Sequence, residues 1–180
     1  MLTLVIPPSE WWNPKKNEFI TYKGETLYME HSLVSISKWE AEYCKPFLSK
    51  QEKTVDEIRA YARCMTINKT VDPLTFNSLT AENLKQINDY IDAPMSAVKF
   101  KKGNEGPPSR ETITSELIYY WMVALNIPFS CEKWHLARLM NLIRICNIKN
   151  KPSKKRSNSE LTRQRTALNA ERKARLHTTG

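Results

Sequence analysis

The sequence lacks any apolar run of the roughly 18 residues that a membrane-spanning helix requires. Its opening residues, MLTLVIPPSEWWNPKK, also lack the basic start and the long apolar stretch of a secretory signal peptide. The 180 residues are enough for one domain with a core and leave room for an appendage. We therefore expect a protein without a membrane span that is made and kept in the cytosol.

Cysteine pairs at metal-binding spacing are also missing. None of the four cysteines belongs to a C-x-x-C pair, the spacing typical of structural zinc sites. In the cytosol we expect all of them to be reduced thiols. The four are Cys44, Cys64, Cys131 and Cys146. No catalytic motif is legible either, so the sequence predicts no enzyme, no catalytic residue, no cofactor and no metal site.

Positive charge is abundant but unevenly distributed. The chain has 28 basic and 19 acidic residues, a net charge of +9. Ten of the basic residues and two of the acidic ones lie in residues 149–180, which leaves 18 basic and 17 acidic residues in the other 148. A nearly neutral body with a basic tail differs from a uniformly basic protein, because only the tail attracts polyanions.

The first thirty residues predict β-structure. Residues 2–6, 18–22 and 25–30 are rich in β-branched, aromatic and aliphatic side chains, and Lys23-Gly24 between the last two is a typical hairpin turn. We expect a small N-terminal β-hairpin or a three-stranded sheet.

Helix caps dominate the next sixty residues. At each, a Ser, Thr or Asp precedes an apolar stripe at helical spacing, so that its side chain can accept an otherwise unpaired amide. The predicted caps are Ser37 with Glu40, Thr54 with Glu57, Asp72 followed by proline, and Thr80. The first helix should end near Cys44 and the third near Leu79.

Two further helices are predicted after a long polar loop at residues 99–109. The first begins at Ser109 or Thr112, and the second is capped by Ser130 and continues to about residue 148. Because roughly five residues join them, we expect an antiparallel helical hairpin that forms the most deeply packed part of the fold. The core stripe of the first is predicted as Ile113, Leu117, Tyr120, Trp121 and Ala124.

The predicted fold is mainly α, of the α+β kind. A compact body covers residues 1–150, with strands in residues 1–30 and helices in residues 36–148. A basic C-terminal helical arm covers residues 151–180.

The second helix of the predicted hairpin carries the residues that most resemble a catalytic or metal-binding site. Cys131 and His135 are four apart and would share a helix face, but no third ligand or orienting group lies near them in the sequence, so we interpret the pair as structural. A polar stripe recurs at three-residue steps and is either a solvated face or a contact surface for a partner. The stripe consists of Arg138, Asn141, Arg144 and Asn147.

The five tryptophans fall into two groups. Trp39, Trp121 and Trp134 lie in helical stripes and are predicted core residues. Trp11 and Trp12 lie in a segment rich in proline and asparagine, which predicts a loop. Exposed tryptophans would form a docking site, because aromatic side chains dominate contact energies; the alternative is packing beneath the first strands.

The tail combines good helix formers with few large apolar side chains. Its leucines are Leu161, Leu168 and Leu176, too few to bury a face, so we expect an arm that is helical when a partner holds it. No aromatic residues are interleaved for base stacking, so only nonspecific nucleic-acid contact is expected. The tail residues predicted to contact a partner are Arg163, Arg165, Arg172, Lys173 and Arg175.

Three runs together resemble a family of small proteins of tailed bacteriophages and prophages that are encoded among tail genes. They are SLVSISKWEAEYCKPFL, TSELIYYWMVALNIPFSCEKWHLARLMNLIRICNIKN and SELTRQRTALNAERKARLHTTG. The resemblance covers roughly residues 28–180 and consists of core and tail positions rather than a catalytic motif.

This resemblance implies a tail assembly chaperone in the host bacterial cytoplasm. Such a protein is largely helical, binds the tape-measure protein while the tail forms, and is absent from the finished virion; a frameshifted, extended partner product commonly accompanies it. One alternative is a structural virion component, such as a neck or tail-completion protein, that self-associates by threading its arm into a neighbouring subunit. Another is a nucleic-acid-binding regulator that uses the basic tail.

Overall fold

A computed structural model describes residues 1–14, 17–98, 111–150 and 158–176. The chain divides into two compact units, Met1–Asn147 and Ile148–Gly180. Within the described residues, the first contains four short strands, five α-helices and most of a sixth, and the second contains the last three residues of the sixth helix and one long helix. The predicted class, mainly α with N-terminal β-structure, is confirmed. The polar segment at residues 99–109 lies outside the described residues.

The strands form two nested antiparallel pairs rather than a three-stranded sheet. They are β1 (Leu2–Ile6), β2 (Ser9–Asn13), β3 (Glu18–Tyr22) and β4 (Glu25–Met29). β1 pairs with β4, and β2 pairs with β3. The sequence correctly predicted three of these strands but missed β2 and so assigned Trp11 and Trp12 wrongly to a loop.

The predicted hairpin turn at Lys23-Gly24 is wrong. Gly24 lies beside the other strand of the ribbon: a Cβ added there would be 2.8 Å from the Ile6 oxygen and 2.9 Å from the Pro8 nitrogen. Proline has no N–H with which to continue the ladder. Pro7-Pro8 and Lys23-Gly24 therefore lie beside each other and separate the β1–β4 pair from the β2–β3 pair, and the chain reverses between β2 and β3, before it reaches Lys23.

Helix α1 (Leu33–Tyr43) begins earlier than predicted. Its cap is Ser32, whose Oγ accepts from the Ser35 amide at 3.3 Å while the Ser35 Oγ accepts from the Ser32 amide at 3.0 Å. The predicted cap at Ser37 is wrong, and Glu40 lies buried inside the helix instead of reaching back to a cap. The helix ends at Cys44, which takes a left-handed conformation with φ 51°.

The caps at Thr54 and Thr80 are confirmed. They start α2 (Val55–Met65) and α4 (Ala81–Ile91), and each threonine hydroxyl accepts an amide from the third helical residue. The short α3 (Leu74–Asn77) begins one residue later than predicted and ends before Leu79. Asp72 still takes part, because its carboxylate accepts from the Leu74 amide at 2.9 Å.

The predicted helical hairpin is not present. α5 (Ser115–Ala124) is capped by Thr114 and packs chiefly against α1, and a 3-10 helix (Phe129–Lys133) separates it from α6 (Leu136–Asn150). The Leu136 amide donates to the His31 oxygen at 2.7 Å, and His135 forms a bridge with Ser32. These bonds tie the start of α6 to the junction of β4 and α1, so the connection after α5 is too long for a tight hairpin.

The core of the first unit is shared by the sheet and the helices. Trp39 is buried as predicted, and its Nε1 donates to the Glu57 carbonyl at 2.9 Å. Trp121 and Trp134 are only partly buried, and on α5 the fully buried apolar residues are Ile118 and Met122 rather than the predicted stripe. The largest fully buried apolar side chains are Leu4, Ile6, Leu27, Met29, Leu33, Ile36, Trp39, Met65, Ile118, Met122 and Leu139.

The second unit contains α7 (Asn158–Leu176). Every side chain from Thr162 to Leu176 is exposed. Leu168 and Leu176 are among them, so these two leucines have no core to join within the unit.

Candidate protein-binding surfaces

Cys131 and His135 do not form the shared helix face that their spacing predicted. Cys131 lies in the 3-10 helix, and His135 immediately precedes α6. The His135 Nδ1 accepts from the Ala137 amide at 3.2 Å, which leaves Nε2 to donate to the Tyr90 carbonyl at 3.0 Å. Both ring nitrogens are thus used to start α6 and to attach it to α4, which is a structural role.

A second buried histidine lies against the first. The ring centroids of His31 and His135 are 5.2 Å apart, and His31 Nδ1 lies 2.5 Å from the Tyr61 hydroxyl. Burial and, less strongly, the neighbouring His135 together lower the pKa of His31 to about 4, while Glu30 partly opposes the change. Burial also raises the pKa of Tyr61, so its hydroxyl stays neutral beside the imidazole.

The part of the chain that the structure describes contains no candidate metal site. No group of three or more His, Cys, Asp and Glu side chains there could hold a metal ion. The four cysteines are free thiols, and burial raises the pKa of Cys64, which disfavours its reactive thiolate form.

The outer side of α5 is an apolar surface. Every residue of the helix from Leu117 to Ala124 is apolar or aromatic, yet only one side packs on the body. We define the α5 face as Tyr119, Tyr120, Val123 and Phe129. Tyr120 is 65% exposed, Val123 60% and Phe129 56%. A helix that is apolar all round is normally buried, so an uncovered side is typical of a contact surface.

Local contacts hold this face in place. The Tyr119 and Phe129 rings are 6.2 Å apart between centroids, and the Tyr119 hydroxyl donates to the Glu132 carboxylate at 2.9 Å. Burial, with Glu132 beside it, raises the pKa of Tyr119 to about 12. The phenol therefore remains a neutral donor at physiological pH and ties the 3-10 helix to α5.

A concave apolar groove lies between α2 and α4, with a volume of about 300 Å³. We call it the α2–α4 groove. Its lining consists of Phe47, Lys53, Ile58, Tyr61, Leu84, Ile87, Asn88 and Ile91. Lys53 is the single ionisable cation among these residues, and its ammonium lies 4.5 Å from the centroid of the Phe47 ring.

A larger and more polar cleft of about 480 Å³ lies beside α2. Four of its charged side chains already pair with one another: Arg63 donates to both Glu42 oxygens at 2.6 and 2.7 Å, and Arg59 lies 3.7 Å from Asp56. Since a ligand would have to compete with these pairs, the cleft is a weaker candidate than the α2–α4 groove.

The tryptophan pair predicted from the sequence is part of the β2–β3 ribbon. Trp12 is 46% exposed, and its ring packs edge-to-face on Phe19, with centroids 5.0 Å apart. Trp11 lies opposite Ile20 in the ladder. The docking role of this pair stays a prediction.

The polar residues predicted on α6 occupy one helix. Arg138 and Arg144 are exposed, and Asn141 is partly buried. The Arg138 guanidinium lies 4.2 Å from the centroid of the Trp134 ring. None of these residues lines the α2–α4 groove or belongs to the α5 face. Those predicted in the tail all lie exposed on α7: Arg163, Arg165, Arg172, Lys173 and Arg175.

The sequence did not predict the α5 face or the α2–α4 groove. It placed Tyr120 in the core and gave Lys53 no role. The α5 face could have been predicted from the run LIYYWMVA, which is apolar or aromatic at every position. One buried face of a helix accommodates only part of such a run, so the remaining apolar side chains are left uncovered. No comparable signal marked the groove, because its lining comes from three separate stretches of the chain.

Comparisons with protein-family models, curated proteins and solved structures find no match to this chain. No helix within the described residues is long and apolar enough to cross a membrane.

Proposed function

We propose that this protein is a bacteriophage tail assembly chaperone that binds the tape-measure protein during tail formation. The proposal rests on the sequence resemblance and on one structural observation, the uncovered α5 face. The function needs no catalytic group, because a chaperone acts by covering a client's apolar surface.

The α5 face suits a long helical client. A client helix lying along α5 would bury side chains that water now surrounds, and each large apolar side chain fully buried stabilises a complex by roughly 1.5–3 kcal/mol before the cost of association. Tyr120 and Phe129 provide aromatic contact area, which commonly dominates binding energy. Tyr120 lies on α5, which packs on α1 and buries Ile118 and Met122, and the contact with Tyr119 holds Phe129 beside that helix.

Co-expression with the tape-measure protein of the same tail gene cluster, followed by pull-down, tests the proposal. Val123→Glu should weaken capture by about tenfold or more, because it places a charge in the centre of the apolar contact. Val55→Glu is the matched control, since Val55 is 58% exposed against 60% for Val123 and lies on a different helix. Circular dichroism should show that both variants remain folded.

The outcome separates the alternatives. Capture by the wild type and by Val55→Glu, but not by Val123→Glu, supports the chaperone. Absence of any complex, together with a fixed copy number in purified mature particles, would instead identify a structural virion component in the neck or tail. Salt-sensitive binding to duplex DNA that disappears without the basic arm would favour the regulator.

A further inference from the structure

The α2–α4 groove combines a buried floor with an apolar rim. Phe47, Tyr61 and Ile87 are buried beneath it, while Ile58, Leu84 and Ile91 are partly buried at its sides. Its volume of about 300 Å³ is at the lower end of the range for specific ligand pockets. The size suits a few large side chains rather than a whole folded partner.

Lys53 gives the groove a defined charge. Its ammonium lies over the Phe47 ring at 4.5 Å and 5.9 Å from the Trp39 ring, so two aromatic faces partly replace water around it. Burial lowers the pKa of Lys53, and the nearby Glu57 partly opposes this effect. The Glu57 carboxylate is already engaged, because it accepts from Lys45 Nζ at 2.7 Å and from the Thr54 amide at 2.8 Å.

Among the residues that the structure describes, no carboxylate lies within ion-pair distance of the Lys53 ammonium. A partly desolvated cation at an apolar pocket gains from an added anion more than a fully hydrated one does, because the surrounding dielectric is lower. An added cation would be repelled for the same reason. The groove therefore distinguishes partners by the sign of their charge as well as by their apolar side chains.

We infer that the α2–α4 groove binds a helical segment of a partner protein that carries two large apolar side chains one turn apart and a carboxylate beside them. Residues three and four apart on a helix share a face, so one short segment can place both apolar groups in the groove and the carboxylate on Lys53. Such a segment is acidic and amphipathic.

This inference goes beyond the proposed function. The groove shares no residue with the α5 face, and its recognition depends on charge, whereas that of the α5 face depends on apolar contact. A client that engages both surfaces would bind more tightly than either contact allows alone, because the second contact forms within the complex.

Titration of the full-length, isotope-labelled protein with designed helical peptides, followed by NMR, tests the inference directly. The probe is a short alanine-based helix with two leucines one turn apart and a glutamate between them, and its counterpart has lysine in place of the glutamate. The glutamate peptide should shift resonances of Ile58, Leu84 and Ile87 and bind about tenfold more tightly than the lysine peptide. Lys53→Glu should reverse that order.

Lys50→Glu is the matched control, since it changes the net charge equally at an exposed lysine that does not line the groove. It should leave the preference for the glutamate peptide unchanged. Equal binding of the two peptides, failure of Lys53→Glu to reverse their order, or shifts confined to α5 would overturn the inference. So would the absence of binding by both peptides. None of these results depends on whether the tape-measure protein is the client.

Discussion

At the scale of single residues, Glu40 holds the junction of α1 and α5 together. Its buried carboxylate accepts from the Phe47 amide and from the Ser115 amide, both at 2.7 Å. Ser115 is the first residue of α5, where the amides have no partner within the helix and a negative charge complements the helix dipole. One side chain thus satisfies a loop amide and a helix start.

Glu40→Gln should lower the free energy of unfolding by about 1–3 kcal/mol, measured by urea denaturation. The amide group retains one accepting oxygen and replaces the other with a donor, so one of the two backbone amides is left buried without an acceptor. Glu42→Gln serves as the control, because Glu42 pairs with Arg63 at the surface and should cost under about 1 kcal/mol. Equal losses in the two variants would show that the buried carboxylate has no special role.

The buried His31 should make stability depend on pH. In the unfolded chain a histidine takes up its proton near pH 6.5, whereas burial in the folded protein lowers the pKa of His31 to about 4. Between these pH values the unfolded state binds more protons than the folded state. The stability that the neutral, buried His31 contributes is therefore complete above about pH 6.5 and is lost as the pH falls towards 4.

The slope should approach about 1.4 kcal/mol of unfolding free energy per pH unit within that window. Urea denaturation at several pH values between 7 and 4 measures it. His31→Asn should be less stable at neutral pH, because it loses the contact with Tyr61, and should show a smaller slope. An unchanged slope in the variant would assign the acid sensitivity to other groups.

At the scale of elements, capping chemistry was legible from the sequence only where it followed the common pattern. Thr54 and Thr80 were located correctly, and Thr54 has the glutamate partner three residues later that defines a capping box. Ser32 was missed because its reciprocal partner is Ser35, while Ser37 and Glu40 offered a better match to the usual signature. Glu40 does not complete a capping box with Ser37, because its carboxylate accepts from the Phe47 and Ser115 amides.

Helix α5 shows the limit of periodicity. An apolar stripe identifies the buried side of a helix only if the other side is polar. The residues from Leu117 to Ala124 leave α5 without a polar side. The sequence therefore predicted the helix but placed Tyr120 rather than Met122 in the core. The orientation of α5 is set by its packing on α1, which no local pattern encodes.

The orientation of α5 predicts a large loss of stability for one truncation on this helix and almost none for another nearby. Met122→Ala should cost about 2–5 kcal/mol, because Met122 is fully buried. Tyr120→Ala should change stability by no more than about 0.5 kcal/mol, because most of its side chain is already in water. Thermal or urea unfolding of both variants measures this difference. A larger loss for Tyr120→Ala than for Met122→Ala would mean that the helix is rotated as the sequence pattern predicted.

At the scale of the whole molecule, stability and charge are carried by different parts of the chain. The residues of the buried core all lie within Met1–Asn147. Ten basic and two acidic residues lie in residues 149–180, whereas the rest of the chain is nearly neutral. The uneven distribution of charge was evident from composition alone. The binding surfaces were not, because an uncovered helix side and a groove become visible only once the elements are packed.

The last prediction follows from this division. Deleting residues 151–180 should leave the urea midpoint of the body unchanged, because α7 contributes no buried side chain among those described. The same deletion should slow association with an acidic partner, since a basic arm attracts a negatively charged surface before contact. Stopped-flow association rates at increasing salt measure the effect. The full chain should lose its rate advantage as the Debye length shrinks from about 10 Å at 0.1 M salt to about 3 Å at 1 M. If the two proteins keep a constant ratio of rates across that range, the arm acts by direct contact and not by long-range attraction.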